Sequence, residues 1–297
     1  MGQATSRALA EITDAAALTD DDVAGLRRAV YQDGEVGADE IRAILHLHRD
    51  GATRSPAAAW ADFFVEAVAD YYALQREAPI DAPSYAPDYT RAAATALRAL
   101  SPIPAHKIAP APASYQPAPL SASDTAALIL AFRAESGVIL DPLERRALAR
   151  LFDRVVELSE PLKRFALDAV YATVRDDGRI DADEVRLLRR VLYGPAGEEG
   201  LAISRQEAEL LFAIAGETRE ADNACEWREF FVKAVTSYLL FAGATPEIVD
   251  GGEAAWLVAK LGRPEAMAPL RRALISYVAR EAQQLDPRLK PYLDELS

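Results

Sequence analysis

The chain carries a single cysteine, Cys225, which excludes an internal disulfide framework and any cysteine-based zinc site. Histidine is scarce too: of three, His46 and His48 form the one close pair. On a helix, residues two apart point different ways, so this pair cannot readily chelate one ion. Positive charge is in deficit, with 33 basic against 46 acidic residues and a formal net charge of −13. That balance argues against nucleic acid as a direct ligand, because phosphate binding needs a basic face. No apolar run reaches the ~18 residues of a membrane-spanning helix, and residues 1–17 lack the apolar core of a signal peptide. Both absences lead us to expect a cytoplasmic protein with no membrane insertion. Glycine-rich phosphate loops, nucleophile elbows and sustained strand alternation are missing as well. What is present is 297 residues, 51 % of them hydrophobic, enough for two domains with real cores.

One local pattern organises the chain. An aliphatic residue, a capping residue, two variable positions and an acid occur together seven times. The instances are Leu18-Thr19 with Asp22, Val36-Gly37 with Glu40, Leu120-Ser121 with Asp124 and Leu140-Asp141 with Glu144, followed by Ile180-Asp181 with Glu184, Ile203-Ser204 with Glu207 and Val249-Asp250 with Glu253. The cap side chain accepts from the third helical N–H, and the acid reaches back to the cap's own N–H. Seven helix starts with one grammar predict an all-α chain of repeated units. In this reading the glutamates at 40, 144, 184, 207 and 253 are structural.

Composition shifts sharply at residues 79–119, which hold nine of the 18 prolines and no glycine. Proline at this density favours extended backbone, here interrupted by one short helix capped by Asp88. Tyr85, Tyr89, Ile108 and Tyr115 could pack such a strap into a groove; a disordered loop is the alternative.

The two halves align with each other. Leu18–Tyr31 overlays Ile180–Tyr193 without a gap, and Val36–Tyr71 overlays Ile203–Tyr238 without a gap. Trp60 then falls on Trp227, and Phe63-Phe64-Val65 on Phe230-Phe231-Val232. After the proline-rich stretch Ser121–Arg133 resembles Asp250–Gly262, with the register shifted by 38 residues, and Pro142-Leu143 resembles Pro269-Leu270. The sequence thus predicts two duplicated helical-bundle domains of about six helices each, over 1–158 and 159–297, with 79–119 as an insertion in the first.

The motif Asp177-Gly178-Arg179-Ile180-Asp181-Ala182-Asp183-Glu184 resembles the signature of TerB-like (tellurite-resistance B) helical domains. Asp33-Gly34-Glu35-Val36 with Glu40 is a second instance, and Glu199-Gly200 through Ile203 to Glu207 a weakened one. The Trp-x-x-Phe-Phe-Val helix is not part of that signature. The resemblance implies an all-α, bacterial, mostly non-enzymatic protein associated with stress-response systems. It also implies divalent-metal binding at acidic clusters.

Candidate sites follow from the acids. Asp176, Asp177, Asp181 and Asp183 crowd one turn and helix start, where oxygen ligands suit Ca²⁺ or Mg²⁺; Asp33, Glu35 and Asp39 form a lesser group. A standard EF-hand is excluded, because Gly178 as its sixth residue would put Thr173 and Arg175 at ligand positions. Any such binding is expected to be weak, on the order of 10⁻⁴–10⁻³ M. The simpler reading has Asp181 and Glu184 capping a helix and the other acids solvated near its positive end. Cys225 is expected to be a small buried residue. The functional expectation is a non-enzymatic acidic helical module that binds a partner protein, with weak divalent-cation binding as an accessory. The alternative is a metal-dependent, hydrolase-like enzyme with its site between the two halves.

Overall fold

The computed structural model describes residues 18–32, 34–50, 58–74, 120, 122–133, 138–155, 158–194, 202–243 and 245–296. The proline-rich stretch, the helix expected after Asp88, the N-terminal residues 1–17 and Asp33 lie outside these residues. Helices dominate: α1 Asp20–Val30, α2 Ala38–Asp50, α3 Ala58–Leu74, α4 Ala122–Phe132, α5 Pro142–Phe152 and α6 Glu160–Asp177, then α7 Ala182–Tyr193, α8 Arg205–Glu217, α9 Cys225–Phe241, α10 Gly251–Leu261, α11 Pro269–Glu281 and α12 Lys290–Asp294. The fold is all-α but for two strands of two residues, β1 Ile248–Val249 and β2 Gln284–Leu285, which pair in parallel.

The repeated grammar does what its chemistry predicts. Both arms of the capping box form at Thr19/Asp22, Asp141/Glu144, Asp181/Glu184, Ser204/Glu207 and Asp250/Glu253. At Gly37, which has no side chain to offer, Glu40 still accepts the backbone N–H at 2.7 Å. The aliphatic residue ahead of each cap position is buried in all seven cases, so these helix entries are pinned to the core; Ser121 itself lies outside the described residues. Between α6 and α7, Gly178 at φ +71° closes the turn in a left-handed conformation that a Cβ would strain.

The segment after α10 does not run on as one helix. Pro264–Ala266 forms a 3-10 turn, and α11 begins only at Pro269. The residue before a proline is pushed out of helical backbone, and Ala268 is extended at ψ 154°.

Two aromatic helices sit at the centre. α3 packs on α1, α2 and α5; α9 packs on α7, α8 and α11. Trp60 is 2 % exposed and lies against Phe63 and Phe64, with ring centroids at 5.7 and 6.1 Å. Trp227 is 3 % exposed and lies against Phe230 and Phe231 at 6.2 and 5.6 Å. Arg27 stacks over Phe63 at 5.7 Å, and Arg189 over Phe230 at 5.6 Å. Tyr31 donates to Asp70 at 2.5 Å, while the Tyr193 hydroxyl meets the Ser237 hydroxyl at 3.0 Å. α5 packs directly on α7, and the buried apolar side chains form one contiguous cluster from Leu18 to Tyr292. Among the described residues no helix is long and apolar enough to cross a membrane.

Candidate functional site

Four of the acids expected to hold a cation, Asp177, Asp181, Asp183 and Asp39, are engaged locally. Asp181 caps α7 through Oδ1, 2.8 Å from the Glu184 N–H, and its Oδ2 pairs with Arg145 Nη2 at 2.6 Å. Asp177 Oδ1 accepts the Arg179 N–H at 3.1 Å, closing the turn. Asp183 lies 3.6 Å from Arg186, one helical turn on. Asp176 is exposed in the last turn of α6. In the lesser group Asp39 pairs with Arg42 at 3.0 Å and Glu35 is exposed, while Asp33 lies outside the described residues.

Among the described residues, the group whose ligand atoms do converge, within 4.8 Å of one another, is His48, Asp141 and Glu144. It reads as a clamp. Trp60 Nε1 donates to His48 Nδ1 at 3.4 Å, so the ring proton sits on Nε2, which donates to Asp141 Oδ2 at 2.6 Å. Asp141 Oδ1 then accepts the N–H groups of Leu143 and Glu144 at 2.8 and 3.0 Å. The chain indole–imidazole–carboxylate–helix end joins α3, the end of α2 and the start of α5. Both imidazole nitrogens are committed, so a cation could take His48 as a ligand only by breaking one of these bonds. Burial alone would raise the Asp141 carboxyl, but His48 and the helix N–H groups hold it below its ordinary value. Glu144 is pushed up to about 7, first by burial and then by the charge of Asp141. His46, in contrast, is exposed, as expected of a neighbour two positions away.

Cys225 corrects the expectation of burial. It is the exposed first residue of α9, and its thiol lies 3.2 Å from the Glu226 carboxylate, which raises its pKa.

Two of the cavities among the described residues lie in the second half. One of about 410 Å³ is bounded by the end of α8, the start of α9 and the start of α11; Ala215, Arg219, Asp222, Trp227, Arg228 and Arg271 are among its lining. The second, about 340 Å³, continues between α9 and α11 past Val232 and Tyr277, and the two share Cys225 and Arg228. They adjoin along α9 and α11; the larger holds three arginines and one aspartate, the smaller Arg228, Lys233 and Arg280 with Glu229, on a chain of net charge −13. Nothing in the sequence pattern singled out this place.

Glu207 shows what the cap reading missed. Its Oε2 accepts the Ser204 N–H at 2.6 Å, and its Oε1 also meets Lys163 Nζ of α6 at 2.5 Å. Glu207→Gln keeps the cap and loses the ion pair, so we expect a loss of about 1 kcal/mol in urea unfolding, against about 2 kcal/mol for Glu207→Ala. Equal losses in the two variants would show that the cap contributes nothing.

Comparison with protein-family models, with curated proteins and with solved structures found no match.

Proposed function

We propose that this chain is a tandem pair of TerB-like helical units acting as a non-enzymatic module that binds a protein partner through the groove between α9 and α11. One observation carries the binding reading: an arginine-lined, partly apolar groove on a chain of net charge −13. Charge complementarity selects an acidic segment as the occupant, because the groove's arginines attract a group that the chain's net negative charge repels.

Support for the tandem reading comes from paired contacts at aligned positions. Arg27 over Phe63 matches Arg189 over Phe230, and the Tyr31–Asp70 contact matches Tyr193–Ser237. The helix pairings α1–α3, α2–α3 and α3–α5 run parallel to α7–α9, α8–α9 and α9–α11. The enzyme reading calls for convergent acids in a cleft between the halves. There α5 packs on α7, and the acids at that contact, Asp181 and Glu184, face Arg145.

The test is selection of random peptides with free C termini against the intact protein. The expected result is enrichment of acidic sequences whose binding weakens at least about tenfold in Arg228→Glu. Enrichment of basic or purely apolar sequences, or binding indifferent to Arg228→Glu, overturns the proposal.

A further inference from the structure

The three tryptophans divide into two satisfied indoles and one orphan. Trp60 donates to His48 at 3.4 Å and Trp256 to Glu209 at 3.2 Å. Trp227 Nε1 is buried with no acceptor, although a buried indole N–H ordinarily finds one. The gap-free match of 36–71 with 203–238 shows why. It sets Trp227 opposite Trp60 and puts Ala215 where the first half has His48. Ala215 and Trp227 both line the cavity, and no acceptor stands beside the buried indole where His48 stands in the first half.

The same contrast holds at the next link. Pro142 opens α5 and the residue before it, Asp141, caps that helix with a carboxylate. Pro269 opens α11, but the residue before it is Ala268, which provides no side-chain cap, and the first turn of α11 holds no acid. The early N–H groups of α11, at Leu270 and Arg271, therefore lack the acceptor that Leu143 and Glu144 have. Both residues line the cavity. Where the first half has a histidine and a carboxylate between an indole N–H and a helix end, the second half has two alanines and a void.

Around that void stand Arg219, Arg228 and Arg271 against Asp222. Arg271 is fixed by one donor to the Leu261 carbonyl at 3.0 Å, leaving its other N–H groups for a ligand. Arg219 lies beside Glu220 at 3.0 Å on the surface. The start of α9 also lacks a side-chain cap, but it carries Glu226 in its first turn, whereas the first turn of α11 holds no acid.

We propose that this cavity is a carboxylate-binding site, in which a ligand carboxylate takes the place that Asp141 holds in the first half. It would accept from the α11 helix end, from Arg271 and from the buried indole. The chemistry is that of an anion at a helix N-terminus reinforced by guanidinium groups. The inference deepens the partner-binding reading, since an acidic segment or chain terminus supplies the group, and it shares the same groove.

The test uses the indole N–H resonances of the intact, ¹⁵N-tryptophan-labelled protein, titrated with acetate, inorganic phosphate and chloride. The Trp227 signal is assigned by its loss in Trp227→Phe, which keeps the ring packing. We expect it to shift saturably with acetate, while the signals of Trp60 and Trp256 and the chloride arm stay flat. Arg271→Gln should raise the half-saturation concentration about tenfold. Ala268→Asp, which supplies the carboxylate from the chain itself, should abolish the acetate response. A response to phosphate as well as acetate still supports an oxyanion site that admits carboxylate. A response to phosphate alone overturns the carboxylate assignment. No shift with any anion, equal shifts of all three indoles, or an unchanged titration in Ala268→Asp overturns the site. Acetate binding with no enriched peptide keeps the site and removes the protein partner. Peptide binding unaffected by Ala268→Asp does the reverse.

Discussion

Arg145→Met is expected to lower the unfolding free energy by about 3–5 kcal/mol at neutral pH, the cost of breaking a buried ion pair on one side. Arg145 is 4 % exposed and bridges α5 to α7. Its guanidinium donates to the Leu140 carbonyl at 2.8 Å and to Asp181 at 2.6 Å, and its Nη1 lies 3.9 Å from Glu184 Oε1. Glu184 has no exposed surface, and burial pushes its carboxyl up to about 7, with Arg145 pulling the other way. Removing Arg145 leaves a buried carboxylate with no cation, which then protonates at the cost of a further upward shift. The pair is also imperfect, because Arg145 Nε and Glu184 Oε1 have no hydrogen-bond partner. Removing both charges should therefore cost much less than removing one. The double variant Arg145→Met with Glu184→Gln is expected to recover at least about half of the loss in denaturant unfolding. A single-variant loss below about 1 kcal/mol would mean that the guanidinium is solvated in solution.

How far these contacts could be read in advance depends on their range along the chain. The capping boxes span three residues, and the spacing of Asp181 and Glu184 or Ser204 and Glu207 contains all the information needed. The aromatic stripes of α3 and α9 were equally legible, since Trp60, Phe63, Phe64, Ala67 and Val68 share one face at helical period and are all buried. His48 and Asp141 are 93 residues apart, and no local pattern links them. Cys225 is exposed although cysteine as a residue type is usually buried, and its place on the helix decides this. A residue at the first position of a helix points away from the core that the third position enters. The deep cavity is harder still, because it is defined by what is missing. Ala215 and Ala268 carry no signal alone. Only the comparison with His48 and Asp141 at matching positions makes them informative.

The second large effect concerns acid. Glu144 is 7 % exposed and its carboxyl is raised from 4.5 to about 7, first by burial and then by the neighbouring charge of Asp141. The unfolded chain releases this proton near 4.5, whereas the folded chain keeps it until about 7. Between those values the folded state binds more protons, so stability falls as pH rises, by up to about 1.4 kcal/mol per pH unit from this group. The contribution is fully present below the unfolded value and is lost above the folded one. Asp141 has the opposite sign, but its folded value lies below 3.8, outside this window. Glu184 follows the same course as Glu144 and adds to the slope. Glu144→Gln isolates one of the two. Glutamine can still accept the Asp141 N–H that Glu144 Oε2 holds at 3.0 Å, and it carries no charge to bury. The variant should match the parent protein near pH 4.5 and exceed it by about 2–3 kcal/mol near pH 8 in urea unfolding. Parallel curves across that range would show that Glu144 ionises as readily when folded as when unfolded. A variant weaker at every pH would show that the carboxylate charge, set between His48 and the start of α5, stabilises the fold.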